Sequence, residues 1–77
     1  MRSFNVETLW DAEAAVWCGR ATEIPVSTEA DTMPGLVSRM IEIVPEILEL
    51  NGLAEHGEAV ELRFKDPNIS SVIVTAL

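Results

Sequence analysis

The chain is poor in the residues that most often announce chemistry. It carries one cysteine, Cys18, and one histidine, His56, in 77 residues. A lone cysteine closes no disulfide within the chain, and the pair is too small a ligand set for a structural zinc site. Bases are also scarce, with five Lys and Arg against thirteen Asp and Glu, a formal net charge of −8. Phosphate contacts need clustered Lys and Arg, so nucleic acid is excluded as a partner of this chain alone. No apolar run approaches the ~20 residues of a membrane span. The opening Met1-Arg2-Ser3-Phe4 leads into a strand pattern without the apolar stretch and cleavage site of a signal peptide. A cytoplasmic location is the expectation. Internal repeats, low-complexity tracts and Gly/Ser linkers are missing too, which predicts a single domain over residues 1–77 with no separate DNA-binding domain.

What is present is one long amphipathic helix and several strands. From Asp31-Thr32-Met33-Pro34 to Asn51-Gly52 the apolar positions recur at about 100° per residue. Leu36, Met40, Ile43, Ile47 and Leu50 share a broad face with Val37, Ile41, Val44 and Leu48, while Ser38, Arg39, Glu42, Glu46 and Glu49 lie opposite. The apolar arc covers about half the circumference, more than the ~100° needed to pack on one surface. The surplus predicts self-association through Leu36, Met40, Ile43 and Ile47. Asp31 and Thr32 are N-cap types, Pro34 suits the first turn, and Asn51-Gly52 supplies a left-handed stop. Pro45 removes the bond to the Ile41 carbonyl, so a kink is expected near Ile41.

Phe4, Val6, Thr8 and Trp10 alternate with Asn5, Glu7 and Leu9 as a strand, and Ala15 to Thr22 resumes the pattern after Asp11-Ala12-Glu13-Ala14. The hairpin is expected to set Trp10 against Ala15, Thr8 against Trp17, Val6 against Gly19 and Phe4 against Ala21, so that small residues receive large ones. Val26 to Ala30, preceded by Pro25, reads as a short edge strand. Val60, Leu62 and Phe64 alternate with Glu61, Arg63 and Lys65, and Ser70 to Leu77 is β-prone and uncharged. Such a strand must pair within the subunit or across a dimer, which adds Val72 and Val74 to the expected self-association set. The order β-β-β-α-β-β predicts an α+β fold: a mostly antiparallel sheet of four to five strands with one helix on a face.

Few residues offer chemistry, and each has a plain alternative. Glu42, Glu46 and Glu49 form a like-charged stripe at i, i+4 and i+7, unfavourable by a few tenths of a kcal/mol per pair. It is either a solvated face or a docking surface for a basic partner, with Arg39 offsetting part of the repulsion. His56 reads as a surface loop residue, and Cys18 as a small buried hydrophobe rather than a nucleophile. Glu7, Asp11, Glu29 and Asp31 have no spacing that selects them as Mg²⁺ ligands. Trp10 and Trp17 read as core or as an interface, not as base-stacking platforms, which need cationic neighbours. One His and one Cys do not assemble a nucleophile, base and stabiliser, so neither an enzyme nor a cofactor is expected.

Phe4-Asn5-Val6-Glu7, Trp10 to Trp17, Glu23-Ile24-Pro25 and Thr28-Glu29-Ala30-Asp31-Thr32 before a helix resemble the HicB-like group of antitoxin domains, and within it an uncharacterised branch of stand-alone small proteins. Three departures stand out: Val26 follows Pro25 where the group usually has Gly, Met33-Pro34-Gly35 replaces the usual acids at the helix start, and the DNA-binding segment that follows this domain in full-length members is not expected here, so operator binding is not carried over. The resemblance implies a degraded ribonuclease-H-like core without catalytic carboxylates, self-association, and, in antitoxin members, neutralisation of a small basic ribonuclease of the HicA type. The competing expectation is an orphan dimeric domain with a structural or small-ligand role and no toxin.

Overall fold

A computed structural model describes residues 1–77. The elements are β1 (Arg2–Asp11), β2 (Val16–Ala21), β3 (Ser27–Ala30), α1 (Met33–Leu50), β4 (Ala59–Phe64) and β5 (Val72–Thr75). They form one five-stranded sheet in the order β3-β2-β1-β4-β5 with the helix on one face. The sheet is mixed: β1–β2, β2–β3 and β4–β5 are antiparallel, whereas the central β1 and β4 run parallel. The chain reaches β4 in that direction because α1 carries it back along the sheet before β4 starts.

Strand alternation decides which side chains meet the helix. Phe4 and Val6 of β1, Ala21 of β2, Val60, Leu62 and Phe64 of β4, and Val74 of β5 are buried on that side. Met40, Val44 and Leu48 of α1 are fully buried against them, and Leu36, one turn earlier and also fully buried, sits over Gly19 of β2. Gly19 lets the helix sit close. A Cβ there would lie 3.1 Å from both Leu36 δ-carbons and from Met40 Cε.

The helix ends are held as their residues dictate. Thr32 Oγ1 accepts a hydrogen bond from Gly35 N at 3.1 Å, and Pro34 lies in the first turn. At the other end Gly52 takes φ +65°. Its N–H donates to the Glu49 carbonyl and Leu53 N–H to the Leu48 carbonyl, the paired bonds of a Schellman stop. The helix is continuous through Pro45, whose carbonyl accepts from Leu77 N at 3.5 Å, so the end of the chain is tied to the helix.

Three expectations need correction. The hairpin register is shifted by two residues: Trp10 faces Trp17, Thr8 faces Gly19 and Val6 faces Ala21. Asp11 Oδ1 accepts from Glu13 N (3.0 Å) and Ala14 N (3.2 Å), and Ala15 adopts φ +54°, which removes it from the ladder. A shift of two preserves the faces, so the same side chains still point to the helix. Second, Leu36, Met40 and Val74 use their apolar area inside the subunit and are closed to a partner. Ile43, Ile47 and Val72 are half-buried against the same core, and the surplus apolar area of the helix falls instead on Ile41 and Leu50. Third, Cys18 is not a core residue. Gly19 and Ala21 occupy the helix side of β2, so Cys18 points to the opposite face between Leu9 and Glu29 and is half-buried.

Candidate partner-binding surfaces

Three surfaces carry the residues of interest. The first is the outer face of α1, where Glu42, Glu46 and Glu49 are all exposed. Their charge is unneutralised. Of the five basic side chains, Arg2 pairs with Glu58 (3.1 Å), Arg63 with Glu61 (2.6 Å) and Lys65 with Glu7 (3.6 Å). Arg39 and Arg20 make no ion pair, so Arg39 does not shield Glu42 by direct contact.

The second is the sheet face turned away from the helix. Glu61 of β4 is its hub. Arg63 Nε donates to Glu61 Oε1 at 2.6 Å, Ser3 Oγ to the same oxygen at 2.8 Å, and Ser71 Oγ to Oε2 at 2.8 Å. Arg63 first, then Ser3 and Ser71, stabilise the carboxylate and lower its pKa from 4.5 to about 2. Glu23 accepts from Asn5 N at 3.1 Å, and that backbone bond is the main reason its pKa is lowered. These carboxylates tie β1 to β4 and to the chain after β2. Glu7 is occupied by Lys65, Asp11 holds the hairpin turn, and Asp31 is exposed before the helix. The fourth of the acids considered as Mg²⁺ ligands, Glu29, lies opposite Cys18. His56 is exposed in the turn before β4.

The third surface is one that the sequence did not suggest. β1 runs on past its pairing with β4, which ends at Val6–Phe64, and continues beside β2 to Asp11. Trp10 and Trp17 therefore stand on the helix side of a projecting hairpin, their ring centroids 5.4 Å apart and their planes tilted by 58°. Trp10 remains 44% exposed, so the pair is not core. Between Trp17, the first turns of α1 and the β4–β5 loop lies a cleft of about 530 Å³. Its apolar walls are Trp17, Met33, Pro34, Val37 and Ile69, with Asp66 and Asn68 as its polar groups. Sequence reasoning missed it because its walls come from three segments far apart in the chain; the one available signal was an apolar Ile69 in a loop of turn-forming residues.

Comparison with known proteins places this architecture. The family described as a domain of unknown function, DUF1902, matches residues 3–74, from β1 into β5. The chain belongs to the DUF1902 family. A crystal structure of a hypothetical protein from the extremely thermophilic bacterium Thermus thermophilus is similar, with 39% identity and a TM-score of 0.73. The likeness covers 90% of this chain and 100% of that one, so the DUF1902 fold of sheet and helix is shared over nearly its whole length. None of the curated proteins matches this DUF1902 chain. No helix of it is long and apolar enough to cross a membrane.

Proposed function

We propose that this DUF1902 chain is a HicB-like, antitoxin-like binding module of the cytoplasm that neutralises a small basic ribonuclease of the HicA type by covering it. The observation that carries this reading is the distribution of charge. Three of the five bases are consumed in ion pairs with Glu58, Glu61 and Glu7, while Glu42, Glu46 and Glu49 stand together on α1 with no basic partner. Like charges at helical spacing oppose one another, and a basic surface laid on them converts that repulsion into attraction. The resemblance of the segment from Phe4 to Asn51 to HicB-like domains gives the partner its expected class. Co-expression with a neighbouring short basic reading frame that carries a single functional histidine tests the reading. Rescue of growth and a co-purifying complex are the expected result; toxicity without rescue, or the absence of such a neighbour, contradicts it.

One observation favours the alternative of an orphan dimer. β5 is an uncharged edge strand, paired only with β4, and Ile73 on it is 54% exposed. At the other edge β3 carries Glu29, and Pro25 stands just before it, both devices that blunt strand addition. Sedimentation equilibrium of the wild type and Ile73→Lys reads this directly. An edge-paired dimer sediments as two chains and becomes monomeric in the variant; a wild-type monomer removes the dimer.

A further inference from the structure

The geometry points to the Trp17–Ile69 cleft as the docking point for an apolar side chain flanked by basic residues on a partner protein. It rests on the reading above for the partner's sign of charge, and it assigns the contact to a different surface from the glutamate stripe.

The cleft has the size of a ligand site, within the range of about 300–1,000 Å³ typical of such pockets. Its walls are the apolar parts of Trp17, Met33, Val37 and Ile69, which suit an aliphatic or aromatic side chain. Trp17, partly buried in its wall, is of the residue type that most often dominates binding energy at protein interfaces. Charge then selects the occupant. Asp66 is the one charged side chain that lines the cleft, whereas Asp31 lines a neighbouring depression together with Arg39. No Lys or Arg lines the cleft, since Lys65, the nearest base in sequence, is turned to Glu7 on the opposite face.

The occupant's orientation follows from two further contacts. Asp66 Oδ1 accepts from Asn68 N at 2.8 Å, which holds the carboxylate at the β4–β5 turn, and no ion pair uses its charge. The aligned peptide dipoles leave the start of α1 partly positive, so a cation belongs across the cleft at Asp66 and the apolar group against Met33, Pro34 and Val37.

The test is a chemical-shift titration of the ¹⁵N-labelled chain with three capped peptides: acetyl-Arg-Leu-Arg-amide, acetyl-Arg-Gly-Arg-amide and acetyl-Glu-Leu-Glu-amide. The first is expected to move the Trp17 indole N–H and the amides of Met33, Val37 and Ile69. The glycine peptide should bind about tenfold more weakly for want of the buried side chain, and the acidic peptide should leave the spectrum unchanged. Asp66→Asn keeps the acceptor for Asn68 N and should weaken the first peptide about threefold, the effect of one partly exposed ion pair. No shifts at these residues, or equal binding of basic and acidic peptides, overturns the cleft as a docking point. A toxin complex that forms and is untouched by Asp66→Asn and Ile69→Ser overturns it while leaving the proposed function standing. Cleft binding of the peptide with no toxin complex upholds the docking point and removes the proposed function.

Discussion

At the residue scale, Gly19 and Glu61 decide most. Gly19 is the point of closest approach between β2 and α1, and three carbons of Leu36 and Met40 already stand at 3.1 Å from where a Cβ would be. Leu36 and Met40 are fully buried and have little room to yield. Gly19→Ala is therefore expected to destabilise the fold by about 1–3 kcal/mol, the usual cost of overpacking, read as a lower urea midpoint with unchanged slope. Glu61 gives the fold an acid limb. Its pKa is lower in the folded chain, about 2 against 4.5, so its contribution is complete above the ordinary carboxylate range and is lost as pH falls from 4.5 towards 2. The stability difference between wild type and Glu61→Gln should shrink across that window in thermal melts taken at successive pH values; a constant difference contradicts the network.

At the element scale, α1 shows what a sequence can and cannot declare. Its limits were legible because capping is local: Thr32 bonds Gly35 three residues on, and Gly52 reverses the chain within one turn. So was the succession of strands and helix along the chain, which follows from the switch between alternating and helical periods. The hairpin register was not, because Ala15 takes a left-handed conformation that alanine seldom adopts and Asp11 organises the turn with its side chain. Nor was the parallel pairing of β1 with β4, since alternation says which face a residue takes and nothing about which strand lies beside it. Pro45 is held by packing rather than by propensity. Pro45→Ala restores a donor for the Ile41 carbonyl and is expected to raise stability by about 1 kcal/mol, part of the ~3 kcal/mol proline penalty, in a urea titration. A loss of stability in that titration makes the proline ring's own packing the stronger effect.

At the scale of the whole molecule, the two sides of the sheet do different work. The helix side builds the core and, at the first turns of α1, the tryptophan cleft; the opposite face spends Arg63 and Lys65 on ion pairs. What remains for a partner is acid on the helix and an acid-edged apolar cleft at one end. The stripe was legible because helical spacing alone brings Glu42, Glu46 and Glu49 together, whereas the cleft depends on Trp17 meeting a loop about fifty residues later in the chain. The most direct measurement is a calorimetric titration of the chain with the basic toxin proposed as its partner, comparing wild type with a variant in which Glu42, Glu46 and Glu49 are all glutamine, at low and high salt. The expected result is a one-to-one complex of the subunits, about tenfold weaker in the triple variant, with the gap closing as salt screens the charges. Equal affinity of the two proteins at low salt would contradict it.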